Sequence, residues 1–354
     1  MRKSFSIISW YGIKDVGGVE RVMRGLNEIL SKQNIVNIID QEYCLSKYPY
    51  LAPLAKYRIG QMVLASLAAG KQKRRGDILI GNGFNAPFVH KDINFAHGTM
   101  YLLKKRLRQF PWGGSSLFEV LSMRKSDLIL AISEETKETL VRYYRINRRK
   151  IKVLNNCVDD KIFYPLNKPE TKDVTILFSG RLEECKGYKT ILKLAKYIEN
   201  KNGIKLKIAT PTKENVELFQ NLKNTTVKTG IQYNDMNSFY NSGDVMFFPS
   251  RSEGFGLVTI ECLSSGIPVV CYGVGAGGEI IAQNGQGVYL AERIMCKLLG
   301  QLISVASEYR DISKRMELHN QISDSYGVER YEEKVNEMIC FIITKKIQNR
   351  ERHS

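Results

Sequence analysis

Short runs of aliphatic and aromatic residues alternate along this chain with longer amphipathic stretches, and that alternation indicates the fold class before any motif is considered. Phe5–Trp10 has the length and apolar content of a strand, and Gly18–Lys32 carries apolar residues at helical spacing. Ile35–Asp40, Asp77–Gly81, Ile93–Ala96 and Asp127–Ser133 are further predicted strands, with Ser115–Lys125 and Glu134–Tyr144 predicted helical. The second half is more regular: strands at Val174–Gly180, Ile204–Thr210, Thr226–Ile231, Val245–Pro249 and Pro268–Tyr272 alternate with helices at Tyr188–Glu199, Lys213–Leu222, Asn234–Ser242 and Gly256–Ser265. Such alternation predicts parallel α/β sheets.

A chain of 354 residues is longer than one hydrophobic core usually fills, so two domains are expected. The polar, proline-containing stretch from Asp159 to Asp173, ahead of a fresh first strand at Val174, marks the join. The predicted domains are 1–165 and 166–325, followed by a C-terminal helix, 326–354, with Tyr331, Val335, Met338 and Ile339 at helical spacing, packing back towards the first domain.

Composition narrows the setting. No apolar run is long enough to span a bilayer, and the apolar piece after Arg2-Lys3 is too short for a signal peptide, so a cytoplasmic protein is expected. The seven cysteines form no C-x-x-C pair, which points to reduced thiols rather than a disulfide framework or zinc site. Formal charge is +17, unevenly spread: residues 1–170 hold 29 Lys and Arg against 15 Asp and Glu, leaving 24 against 21 for the remainder. The positive field therefore belongs to the first half, and an anionic lipid surface or nucleic acid would be its counterpart. No recognition helix or RNA-binding signature accompanies it, which disfavours a nucleic-acid partner.

Three loops sit where a strand feeds a helix. Trp10–Glu20, with Gly17 and Gly18, opens the first helix and could receive an anion or serve as a plain βα turn. Ser179-Gly180-Arg181-Leu182-Glu183-Glu184-Cys185-Lys186-Gly187 puts a guanidinium and an ammonium beside free backbone N–H groups, which suits a diphosphate, although a solvated loop would look similar. The third, Ser250 through Glu261, carries Glu253, Gly254, Phe255, Gly256 and Leu257 at a helix start. Two carboxylates eight apart invite a glycosidase reading, but with glycines between them they better fit two groups grasping separate hydroxyls of one extended ligand. Gly273-Val274-Gly275-Ala276-Gly277-Gly278 matches G-x-G-x-x-G, yet follows a late strand with no suitable acid, so no dinucleotide site is expected. His97 ends a predicted strand ahead of Gly98 and could face a ligand or be packed; His90, His319 and His353 lack that context. No D-x-D or H-x-x-H cluster suggests a metal.

Leu177–Leu182 with Lys186-Gly187, then Asp244–Pro249, Ser250–Glu261, Gly266-Ile267-Pro268-Val269-Val270 and Gly277-Gly278-Glu279 together resemble the family-four retaining glycosyltransferases across nearly the whole second half. The first half resembles them more loosely, through Gly17–Arg21, His97-Gly98 and Val153–Asp159, where Asn155 and Cys157 replace the family's usual proline and glycine. The resemblance implies the GT-B fold, two Rossmann-like domains with parallel sheets facing across an interdomain cleft, the first binding acceptor and the second a nucleotide sugar. It implies further that Gly180, Arg181 and Lys186 bind the donor diphosphate, Glu253 the donor sugar and Glu261 the ribose. Gly254–Leu257 would lie near the sugar hydroxyls or phosphate, Ile231 near the base, Gly17 and Gly18 near the phosphates, and His97 near the transferred carbon. The implied reaction is metal- and cofactor-independent transfer of a hexose or N-acetylhexosamine, UDP-linked in donor form, to a lipid-linked glycan of lipopolysaccharide, O-antigen or capsule, at the inner face of the plasma membrane; a soluble or protein acceptor is the alternative. Tyr101–Trp112 and Leu64–Leu67 with Lys71–Arg75 are the predicted leaflet-binding segments.

Overall fold

The computed structural model describes residues 3–13, 17–106, 110, 114–168, 171–283 and 285–351. The chain divides into two compact units, Met1–Asn156 with Tyr331–Ser354, and Cys157–Arg330. The division precedes residue 165 because Val158 is already held by the second unit: its N–H donates to Tyr326 O at 2.9 Å, and it bridges Gly327. The final helix, Val328–Glu351, lies almost wholly in the first unit, where Lys32 pairs with Glu332 at 2.6 Å and Lys346 with the buried Asp92 at 2.8 Å.

The first unit carries one six-stranded sheet. Its strands are β1 (Ser4–Ile8), β2 (Ile35–Ile39), β3 (Ile78–Asn82), β4 (Lys91–Ala96), β5 (Ser126–Ala131) and β6 (Ile151–Val153), ordered β2-β1-β3-β4-β5-β6. The second carries β7 (Val174–Ser179), β8 (Ile204–Thr210), β9 (Thr225–Thr229), β10 (Val245–Phe248), β11 (Val269–Cys271) and β12 (Val288–Leu290), ordered β12-β11-β10-β7-β8-β9. Every neighbouring pair is parallel. Parallel strands are covered on both faces, and the central ones are accordingly apolar throughout: all four residues of β10 are buried. The helix Gly18–Ser31 turns Val22, Met23, Leu26, Ile29 and Leu30 inward, and Tyr188–Ile198 does the same with Ile191, Leu194, Ala195 and Ile198.

Two predicted elements differ. The expected helix Lys213–Leu222 is a 3-10 segment, Val216–Phe219, preceded by Asn215 at φ 58°, a left-handed conformation that ordinary helix cannot contain. The helix Arg58–Arg74 was legible only as a basic, leucine-containing stretch. Leu64, Ala65, Ala68 and Ala69 are fully or almost fully buried in a cluster with Ile8, Ile39 and Leu79, so this apolar face is core and does not face a leaflet; Leu67 alone of the Leu64–Leu67 group is exposed. Of the other segment proposed for a leaflet, Met100–Arg106 is helical, while Leu107, Arg108, Gln109, Pro111 and Trp112 lie outside the described residues. No helix among the described residues is long and apolar enough to cross a membrane.

The second unit is knit together by a buried cation. Arg315, on the helix Ile312–Tyr326, is 1% exposed and donates to the carbonyls of Gly266 (3.2 Å), Leu166 (2.9 Å) and Ser265 (3.2 Å) and to the Asn241 side chain. Its truncation takes the donor from three carbonyls and from Asn241 Oδ1, which keeps Leu166 N–H at 2.7 Å. Arg315→Ala is expected to destabilise the second unit by about 3 kcal/mol or more, read as a lowered urea midpoint for probes placed there.

Candidate functional site

The second sheet contains a topological switch. From β7 the chain steps outward through β8 to β9, then returns to β10 on the other side of β7 and continues through β11 to β12. Ligands of open parallel sheets bind beyond the carboxyl ends of the strands where this reversal occurs. Here those ends are Ser179, continuing into Gly180-Arg181, and Phe248, continuing into Pro249–Glu253. The two loops quoted from the sequence thus emerge from adjacent strands.

They also touch. Gly187, at φ 80°, sits so close to the second loop that a Cβ would come within 2.2 Å of Pro249 O, so only glycine fits. Arg251 N–H donates to Cys185 O at 2.8 Å, and Ser250 Oγ to the same carbonyl at 3.2 Å. This contact brings Lys186 Nζ to 2.7 and 2.8 Å from the two carboxylate oxygens of Glu253. The Glu253 side chain is 7% exposed and that of Lys186 19%. Arg181 pairs with Glu183 at 2.8 Å and remains half exposed.

Glu261 lies deeper, on the helix Leu257–Ser264, and is 4% exposed. Its carboxylate accepts from Tyr240 Oη at 3.0 Å, and Ser179 at the end of β7 hydrogen-bonds the same phenol. Burial, with the Glu261 charge beside it, pushes the Tyr240 phenol well up, so it stays a donor. Gly256, at φ 88°, caps this helix. Phe255 is buried against Tyr326, and Ile231 follows edge strand β9, two strands from the switch. The glycine run after β11 has a packing role that sequence pattern alone did not reveal. A Cβ on Gly275 would lie 2.2 Å from Phe255 O, and Ala276 N–H donates to that same carbonyl, so the run clamps the Glu253–Gly256 loop from behind.

The remaining sequence-predicted residues lie in the first unit. Gly17 caps the helix Gly18–Ser31 in extended conformation; Lys14, Asp15 and Val16 before it are outside the described residues, as is His353. Gly17 and Gly18 follow β1 and His97 follows β4, with β3 between these strands, so all three lie at one sheet edge. His97 stacks on Phe95 (ring centroids 5.7 Å apart, 13° between planes), and neither ring nitrogen has a hydrogen-bond partner among the described residues. Shielded nitrogens without partners are rare and mark a group suited to a ligand. Burial pushes its pKa down to about 4, so the ring is neutral at pH 7. Sequence reading missed Glu119, a buried carboxylate that accepts from Met100 N–H at 2.9 Å and from Tyr144 Oη, holding the turn just after His97; burial pushes its pKa up to about 7. Nothing in its helical surroundings signalled that. Among the described residues no group of three or more His, Cys, Asp or Glu side chains could hold a metal ion.

Two outcomes follow from this geometry. Gly187→Ala must push the two loops apart, and the helix start at Tyr188 with them; the expected result is a folded protein with nucleotide affinity lowered by about tenfold or more, read by calorimetric titration. His97 has a depressed folded pKa, so its stabilising contribution is complete above about 6.5 and is lost as pH falls towards about 4. Melting temperature should therefore fall more steeply over that window in the wild type than in His97→Gln, the difference between the curves separating His97 from Glu119.

Comparison with known proteins finds a family match for each half of the chain. Residues 159–321 match the family described as glycosyl transferases group 1, and residues 16–161 match glycosyltransferase family 4. An uncharacterized glycosyltransferase of Haemophilus influenzae is 25% identical over 351 residues, covering 90% of this chain and 95% of that one. Several other curated relatives are matched over about half of their length or less. Among solved structures, sucrose-phosphate synthase of Thermosynechococcus elongatus superposes with a TM-score of 0.75 at 14% identity, over 97% of this chain and 100% of that one. HepE of Anabaena, solved with UDP-glucose, gives 0.68 at 12% identity, over 95% and 99%. These structures share the GT-B fold with the present chain, whose two halves match the group 1 and family 4 glycosyltransferase models and which is a transferase of glycosyl groups.

Proposed function

We propose that the protein moves a hexose or N-acetylhexosamine from a UDP-linked donor to a lipid-linked glycan of the lipopolysaccharide, O-antigen or capsule kind, with retention of configuration and without a metal. The observation that carries this reading is the Lys186–Glu253 pair at the β7/β10 switch, with Arg181 beside it. A diphosphate arriving there draws Lys186 and Arg181 onto its oxygens, while Glu253 turns to a sugar hydroxyl. Both cations then stabilise the charge that grows on the phosphate as the sugar departs, which is where fixed electrostatics contribute most. Glu261, oriented by Tyr240, takes the ribose hydroxyls. His97 donates to or accepts from the transferred sugar as a neutral ring. The acceptor hydroxyl attacks on the face the phosphate leaves, and the phosphate takes its proton, so no protein nucleophile is needed.

The first unit would receive the acceptor. Support for a lipid-linked one comes from its charge and from exposed aromatics the sequence did not single out. Between Glu42 and Asp77 the chain has no carboxylate and seven cations, and within that stretch Tyr50 is 75%, Tyr57 70% and Ile59 57% exposed. Exposed aromatics in a stretch rich in cations suit the headgroup region of an anionic leaflet.

Purified protein is expected to turn over one sugar of a UDP-sugar panel in the presence of a chelator, giving a product with the donor's anomeric configuration by NMR. Lys186→Ala and Glu253→Gln should each lower the rate by about 10²–10³-fold. Undiminished turnover in both variants would remove the site from the reaction, and inversion at the anomeric carbon would remove the mechanism.

A further inference from the structure

The first sheet has its own switch, between β1 and β3, where the chain steps from β1 out to β2 and returns on the other side. Beyond the carboxyl ends of those two strands lies a cleft of about 50 Å³, floored by the buried Trp10 and Met62 and walled by Tyr11, Arg58, Phe84 and Asn85. One water needs about 10–15 Å³ on this measure, so the cleft has room for a carboxylate or phosphate group but not for a whole sugar ring.

Its walls carry complementary chemistry. The Arg58 guanidinium lies over the Phe84 ring at 4.7 Å, and among the described residues it has no carboxylate partner. Stacking fixes the plane of a guanidinium while leaving its edge N–H groups to donate in pairs to a planar or tetrahedral anion. Asn85, on the opposite strand's exit, makes no side-chain hydrogen bond among the described residues. Asp40, which begins a nearby helix, is occupied in accepting Tyr43 N–H at 2.8 Å and does not line the cleft. The Tyr11 ring, 63% exposed, stands at the rim as a flat apolar face of the size of a pyranose. An anion inside and a ring face outside describe a sugar that bears a negative charge.

We propose that this cleft is an acceptor subsite for a charged sugar, with Arg58 and Asn85 holding its carboxylate or phosphate and Tyr11 stacking on its ring. The assignment to the acceptor rests on the glycosyltransfer reading; the binding chemistry does not. The test is saturation-transfer NMR on the full chain with methyl α-glucuronide, glucose 1-phosphate and methyl α-glucoside, run with and without saturating UDP. The wild type is expected to bind at least one charged sugar about tenfold more tightly than the neutral one, equally with UDP present. A carboxylate-only or phosphate-only response identifies the anion.

Arg58→Gln should abolish the preference and leave UDP affinity unchanged, whereas Tyr11→Ala should weaken the charged sugars but not inorganic phosphate. Equal binding of the neutral glucoside, displacement of the charged sugars by UDP, or an unchanged preference in Arg58→Gln overturns the proposal. Loss of UDP binding in the wild type would instead overturn the donor-site reading, with the cleft still judged on its own preference.

Discussion

The site in the second unit depends on one close approach, backbone against backbone, at Gly187 and Pro249. A parallel sheet leaves the loops after β7 and β10 side by side but does not make them touch. The missing side chain at Gly187 does, and the Cys185 carbonyl then accepts from both Arg251 N–H and Ser250 Oγ. Everything chemically interesting nearby inherits that geometry: Lys186 is delivered to Glu253, and the helix that begins at Tyr188 is aimed from the same point. On the far side Gly275 performs the equivalent service against Phe255, so the loop holding Glu253 is gripped between two glycine contacts. Precision in such a site comes from backbone that cannot move rather than from strong side-chain bonds.

Much of this was legible in the sequence, and unevenly. The strands of the second unit were readable because buried parallel strands are apolar throughout, and Val174, Ile204 and Val245 all begin observed strands. Arg181, Lys186, Glu253 and Glu261 could be named from their loops, but their mutual arrangement could not, because the strand order that makes β7 and β10 neighbours is a property of the whole sheet. Pattern also misled at Leu64, which with Ala65 and Ala68 is core, since a helix against a sheet and a helix on a leaflet present the same amphipathic period. G-x-G-x-x-G after β11, set aside as a dinucleotide site, is a matter of packing.

The first unit was harder to read for a physical reason. Its distinctive groups are single residues whose meaning lies in what they lack among the described residues: His97 with no hydrogen-bond partner for either nitrogen, Arg58 with no carboxylate partner, Tyr50 and Tyr57 largely exposed. An absence of neighbours leaves no trace in local sequence. Glu119 is the converse case, a carboxylate whose partners, Met100 and Tyr144, are distant in sequence and visible only once the chain is folded.

The Lys186–Glu253 pair has a consequence for selection between ligands. A bare phosphate that drew Lys186 away would strand a carboxylate that is 7% exposed, and an uncompensated buried charge is costly by several kcal/mol. A ligand presenting a phosphate and a hydroxyl in the right relation replaces both halves of the pair at once. On the proposed reading the ion pair would work as a coincidence detector, rejecting the abundant fragments of a nucleotide sugar in favour of the intact molecule.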